Sequence, residues 1–185
     1  MNSPAKVGGG ERLRLFCALP LPRDALDALV SWQRRGLGGA AARLVPPENL
    51  HVTLAFLGHR PAEDVAGVVG ALRDAAAGVA RPLLRAGRYR ETRSVGMLVL
   101  EDEGGRATVL AERLAERLER LGVYERERRP WLPHVTVLRF RSAPRLAPEP
   151  PDLGEVSPSE VALYHSVLRP TGAQYEIRES VALGG

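Results

Sequence analysis

At 185 residues, 44% of them hydrophobic and 26% charged, the chain has the length and composition of one globular domain with a substantial buried interior. No apolar run reaches membrane-spanning length, and the lone cysteine, Cys17, excludes an intramolecular disulfide and a cysteine-cluster metal site. The net charge of +4 permits a polyanionic partner, but the lone lysine, Lys6, lies in a glycine-rich leader, which argues against a P-loop and against a lysine-adenylate ligase.

Residues 1–10, MNSPAKVGGG, contain no apolar segment of the kind that secretory signals require. A flexible leader is expected there, followed by a single domain over 11–185 in a cytoplasmic protein. RLRLFCALPLP opens the folded part as a strand, with Leu13, Leu15 and Cys17 on one side. PRDALDALVSWQRRG follows as a helix, with proline near its start and glycine at its end. In RLVPPENLHVTLAFLG the double proline separates a short strand from a second one over 51–57. Val65, Val68, Val69 and Leu72 then recur at helical spacing, with Glu63 and Asp64 placed to favour the dipole in the first turn.

RPLLRAGRYRETRSVGMLVLEDEGG reads as two strands with a turn at 92–94. Leu110, Leu114, Leu118 and Leu121 mark the buried stripe of another helix, ended by Gly122. WLPHVTVLRF is a strand entered through proline, and SAPRLAPEPPDLG is a loop rather than a linker. SEVALYHSVL and AQYEIRESVAL close the chain as a strand pair turned by RPTG. The order β-α-β-β-α-β-β-α-β-β-β predicts an α+β fold of two similar sheet-and-helix halves.

Arginines cluster at Arg85, Arg88, Arg90 and Arg93, at Arg126, Arg128 and Arg129, and at Arg139, Arg141 and Arg145. Each cluster suits phosphate oxygens through the guanidinium fork, and each also reads as a solvated basic surface.

The tetrapeptides HVTL at 51–54 and HVTV at 134–137 use two of only four histidines and two of only five threonines. Strand alternation sets His51 and Thr53 on one face, about 7 Å apart along the strand, with Val52, Leu54 and Phe56 on the other. His134 and Thr136 repeat the arrangement over Val135 and Val137. Facing each other across a cleft, the two strands would offer two imidazoles, one neutral and one protonated, as general base and general acid. The two threonine hydroxyls would grip anionic oxygens. A phosphodiester fits that set. A metal site lacks a third ligand at diagnostic spacing.

RLFCALPLP, PPENLHVTLAFLG, PHVTVLRF and LYHSVLRPTGAQYEI together resemble the bacterial and archaeal RNA 2′,3′-cyclic phosphodiesterases, also called 2′-5′ RNA ligases, of the two-histidine phosphoesterase superfamily. The resemblance implies two pseudo-twofold-related lobes, each presenting one H-x-T-x strand to a central cleft. It implies opening of an RNA-terminal 2′,3′-cyclic phosphate to a 2′-phosphate and a free 3′-hydroxyl, without metal or nucleotide cofactor. His51 and His134 would be catalytic, and Thr53, Thr136 and Arg139 would bind the phosphate. The leaning is to His134 as the base that activates water and His51 as the acid that protonates O3′.

By strict alternation Arg139 falls on the wrong face, so it reaches the cleft only where the strand twists, bulges or ends. Trp131 is a candidate for stacking on a terminal base, or a strand-edge core residue. Tyr175 stands either near the cleft or in packing. His165 is given no catalytic role, His59 is expected in a solvated loop, and Cys17 in the core. A monomer acting on RNA, away from membranes, is the expected state. Competing readings are a phosphodiesterase for a small cyclic or 2′,5′-linked nucleotide, and a non-catalytic RNA- or nucleotide-binding module. RNA joining would require a 5′-hydroxyl in place of water.

Overall fold

The computed structural model describes residues 10–39, 42–170 and 172–184; most of the leader, with Lys6, and Thr171 of the final turn lie outside them. Among the described residues, eight strands and three helices follow in the expected order: β1 (Arg12–Pro20), α1 (Arg23–Gly36), β2 (Arg43–Leu44), β3 (His51–Pro61), α2 (Asp64–Ala76), β4 (Leu84–Glu91), β5 (Val95–Asp102), α3 (Arg106–Arg120), β6 (His134–Arg139), β7 (Glu160–Arg169) and β8 (Gly172–Ala182). The strands form a single antiparallel sheet in the order β4-β5-β6-β3-β1-β7-β8, with β2 joined to β6.

β1 explains its own mixed pattern. Leu13, Leu15, Cys17 and Leu19 enter the main core, while Phe16 and Ala18 on the opposite face pack with Ala162 and Tyr164. A strand buried on both faces has no polar side to alternate with. On the helical side of the sheet, α2 and α3 pack against each other, α2 also against β7 and β8, and α3 against β3 and β5.

Asp102 starts α3: its carboxylate accepts the backbone N–H of Ala107 and of Thr108 and the Thr108 hydroxyl, at 3.1, 2.7 and 2.7 Å. These bonds satisfy donors that a helix start leaves open. At the other end Gly122, at φ 68°, donates to the Glu119 carbonyl, and Val123 donates to that of Leu118. Those two bonds make a Schellman motif. The motif corrects the expected stripe: Leu121 is 48% exposed, because the helix has ended and Val123 takes the buried place behind Leu118.

β3 runs four residues beyond its expected end, so His59 sits exposed on a strand rather than in a loop. Its pairing with β1 slips twice: Cys17 and Ala18 pair with Ala55 and Thr53, and Leu15 and Phe16 with Gly58 and Phe56. Leu54 and Leu57 are therefore the extra residues of two β-bulges. β6 slips once in the same manner, since Gly96 and Met97 of β5 pair with Leu138 and Thr136 and leave Val137 as the extra residue.

Each bulge after a threonine restarts the alternation, as the burial of both strands records. In His51–Phe56 and again in His134–Arg139, buried neighbours (Leu54 with Ala55, Val137 with Leu138) separate the threonine from an exposed sixth residue. Phe56 and Arg139 thereby turn to the face that carries the histidines. For Phe56 this overturns the expectation that it shares the face of Val52 and Leu54.

The bulge in β6 is held from α1. The Gln33 side-chain amide, 2% exposed, donates to the Val137 carbonyl at 2.8 Å and to the Val45 carbonyl at 3.2 Å, and Val45 N–H also donates to Val137. Buried carbonyls without donors are costly. Gln33→Leu is expected to lower unfolding free energy by about 1–3 kcal/mol in urea titration. An unchanged midpoint would mean that the bulge holds without the amide.

Candidate active site

β3 and β6 meet through one bridged pair, Val52 with Val135, both fully buried. One step either way along that antiparallel register, Thr136 lies across from His51 and His134 across from Thr53. The four groups form a rectangle with like residues on its diagonals, where cross-strand neighbours stand about 7–8 Å apart. The strands part on either side of the bridge, β3 to pair with β1 and β6 with β5 and β2. The gap is a cleft of about 590 Å³ lined by His51, Thr53, His134, Thr136 and Arg139. Arg139 is there because of the bulge at Val137.

The two imidazoles are held alike. His134 Nδ1 lies 2.8 Å from the Leu132 carbonyl, and His51 hydrogen-bonds to the backbone of Asn49. In both cases the partner lies two residues upstream. A ring nitrogen donating to a carbonyl leaves the other nitrogen free to exchange a proton in the cleft. For His51 that nitrogen is Nε2, 3.1 Å from Thr53 Oγ1.

Their surroundings differ. His51 stacks on Phe16, with centroids 4.9 Å apart, and meets the edge of Tyr175 at 5.4 Å; Tyr164 stacks on Phe16 at 5.0 Å and lies 6.1 Å from the His51 ring itself. This aromatic box strips water from the imidazole. Burial pushes its pKa from 6.5 to about 4, the Asn49 hydrogen bond acting the other way and the His134 and Arg139 charges adding to the depression. Tyr175 is thus a cleft residue.

Trp131 is not in the cleft wall. Its indole N–H donates to the Thr53 carbonyl at 3.0 Å and its ring packs on the core, tying the approach of β6 to β3. The indole N–H thus links the segment before β6 to the first motif strand. His165 faces Glu176 at 3.8 Å, outside the cleft. Cys17 is fully buried, and burial raises its thiol pKa to about 12.

Sequence clustering of arginines misleads here. Arg85 pairs with Glu103 and Glu155, and Arg126 with Glu119, away from the cleft. The cleft wall instead collects Arg14, Arg43 and Arg169 beside Arg139, with no carboxylate among its described lining residues. Arg43 and Arg139 are direct cross-strand partners, a like-charge placement that an anion offsets. None of these arginines belongs to a predicted cluster except Arg139, because strand pairing, not chain proximity, brings them together. Asn49, also in the wall, donates its amide to the Ala173 carbonyl at 2.9 Å and keeps a buried Oδ1 without a partner among the described residues.

Fold and cleft together define a two-histidine phosphoesterase. A family model described as LigT like phosphoesterase matches residues 19–96. The RNA 2′,3′-cyclic phosphodiesterase of Thermus thermophilus is 33% identical over 94% of this chain and 91% of its own length. That of Escherichia coli K12 is 31% identical over 84% and 88%. Among solved structures, TT0787 of Thermus thermophilus superposes with a TM-score of 0.81 at 31% identity, covering 94% of this chain and 99% of that one. E. coli LigT complexed with 3′-AMP gives 0.82 at 26% identity, covering 95% and 100%. The chain belongs to the LigT-like phosphoesterase family.

The depressed His51 pKa has a measurable signature. In the free protein its ring resonances should titrate near pH 4 by NMR, not near 6.5. Between those values the unfolded chain binds a proton that the folded chain refuses, so stability should fall as pH falls through that window and the slope should end below it. A midpoint at 6.5 would show a solvated ring.

Proposed function

We propose that this chain hydrolyses the 2′,3′-cyclic phosphate at an RNA end to a 2′-phosphate and a free 3′-hydroxyl. The observation that carries the reading is the diagonal histidine pair. It flanks the cleft across the Val52–Val135 bridge, with Thr53, Thr136 and Arg139 turned to the same face. The names of the T. thermophilus and E. coli relatives support the substrate, and the 3′-AMP complex of E. coli LigT supports a nucleotide as ligand.

Water attacks phosphorus in line with the P–O3′ bond as that bond breaks. One histidine takes the proton of the water, and the other gives a proton to O3′. The Thr53 and Thr136 hydroxyls and the Arg139 guanidinium hold the non-bridging oxygens, where charge grows in the transition state. With His134 as base and His51 as acid, His51 must be protonated at the moment of reaction, although its surroundings keep it neutral in the free protein above about pH 4. The phosphate anion supplies the missing charge: seated beside the imidazole, it offsets the desolvation and draws the proton onto His51. Coupling protonation to substrate binding keeps the acid uncharged until there is an oxygen to protonate. A 5′-hydroxyl taking the place of water as the nucleophile in this ring opening would give 2′-5′ joining at the same site, and the reverse step would cut that link.

The test is a short RNA ending in a 2′,3′-cyclic phosphate, incubated with the protein in EDTA and resolved into 2′- and 3′-phosphate products. Expected is a 2′-phosphate, with kcat reduced about 10²–10⁴-fold by His51→Ala and by His134→Ala and about 10²–10³-fold by Arg139→Ala. A 3′-phosphate product, or full turnover in either histidine variant, refutes the reaction as written. The coupling is tested separately: a non-hydrolysable cyclic phosphate analogue should raise the NMR titration midpoint of His51. An unmoved midpoint would make neutral His51 the base.

A further inference from the structure

We propose that Arg88 and Arg90 form a ledge for the backbone phosphates of the RNA upstream of its cyclic end. The preferred substrate is then a polynucleotide terminus and not a free cyclic mononucleotide. This deepens the proposed phosphodiesterase reading and rests on it. Strand pairing carries the catalytic face outward from β6. His134 pairs with Val99 and Thr136 with Met97 of β5; across β5, Val99 pairs with Arg88 and Met97 with Arg90 of β4. Paired residues of antiparallel strands project to the same side of the sheet. One row therefore runs from His134 through Val99 to Arg88, and another from Thr136 through Met97 to Arg90. Two strand spacings, about 10 Å, separate the arginines from the motif.

A bulge puts them on that face. Ala86 pairs with Leu100 and Arg88 with Val99, which leaves Gly87 as the extra residue. In unbroken register Arg88 would pair with Leu98, fully buried in the core, and both guanidinium groups would point inward at a high desolvation cost. Tyr89 takes the inward place and packs against the core. A side chain at position 87 would crowd the bulge: a Cβ on Gly87 would meet the Val99 carbonyl oxygen at 3.0 Å and Glu101 Cγ at 3.3 Å.

The ledge has the charge and the floor that a polyanion needs. Arg88 and Arg90 are exposed and form no ion pair among the described residues, whereas Arg85 of the same strand is held by Glu103 and Glu155. Met97 and Val99, between the arginines and the motif, are buried although they stand apart from the core that the helices cover. Arginine stems suit such a floor, because they cover apolar side chains while the charged heads stay in water. Glu101, exposed and opposite Arg85, ends the basic stretch. A cyclic mononucleotide carries only the phosphate that the catalytic groups hold, so cations two strands away act only on a longer chain. Guanidinium contacts to phosphate position that chain without reading its sequence.

The experiment compares a tetranucleotide ending in a 2′,3′-cyclic phosphate with a mononucleoside 2′,3′-cyclic phosphate. The proteins are the native chain, the double variant Arg88→Ala with Arg90→Ala, and a control, Arg113→Ala with Arg120→Ala, which removes the same charge from α3 on the other face. Expected is a native preference for the tetranucleotide in kcat/KM that falls roughly 2- to 5-fold per arginine in the β4 variant, mainly through KM, and holds in the α3 control. The log–log salt dependence of the tetranucleotide KM should become shallower by about 0.7 per β4 arginine removed. No native preference, an unchanged preference in the β4 variant, or an equal fall in the control overturns the ledge. Turnover of neither substrate by the native protein counts against the reaction, and the ledge is then read from fluorescence anisotropy of a labelled tetranucleotide ending in a 2′-phosphate. Weaker binding by the β4 variant than by the control supports it, and equal binding overturns it.

Discussion

The cleft depends on one contact between strands, the antiparallel bridge from Val52 to Val135. A strand has a side-chain period of two, so a slip of one residue at that bridge would exchange the histidine face of one strand for its valine face. The slip is opposed by burial: both valines are fully enclosed, and inverting either strand would put an imidazole and a hydroxyl into the apolar core in their place. The pair of valines that holds the halves together thereby holds the two histidines on diagonal corners.

The bulges extend this control beyond the motif. Without them the sixth residue of each strand would point into the core, and a buried, unpaired guanidinium at Arg139 would be costly. With them, one buried glutamine on α1 and one backbone amide on the following segment hold the β6 irregularity, and a cation reaches the cleft. The two halves share a backbone plan and differ in what they present at its end, a guanidinium in one and a phenyl ring in the other. The unequal surroundings of the two imidazoles follow from the same division, since the aromatic box of Phe16, Tyr164 and Tyr175 closes only on the His51 side.

Charge placement completes the site. The outer arginines at Arg85 and Arg126 are neutralised by neighbouring glutamates, while the four that line the cleft meet no carboxylate among the described residues of its wall. Four guanidinium groups thus line the recess where an anion would bind, and solvent screens them less there than on an open surface.

Local pattern determined much of this protein. Helix spacing, proline and glycine punctuation and strand alternation place all eleven elements in order, and the repeated H-x-T marks His51, Thr53, His134 and Thr136 as one constellation. Those features are legible because they depend on residues a few positions apart. Leu121 and His59 were misplaced where a helix stopped one residue early and a strand ran on past a glycine. The rest was decided by tertiary structure. Trp131 stands outside the cleft wall with its N–H on the Thr53 carbonyl, and Phe56 changed face because β1 and β3 pair out of step. Arg14, Arg43 and Arg169 joined Arg139 because pairing across the sheet brings distant segments into one wall. A bulge and a cross-strand neighbour are properties of two chain segments at once, so neither can be read from the residues of one.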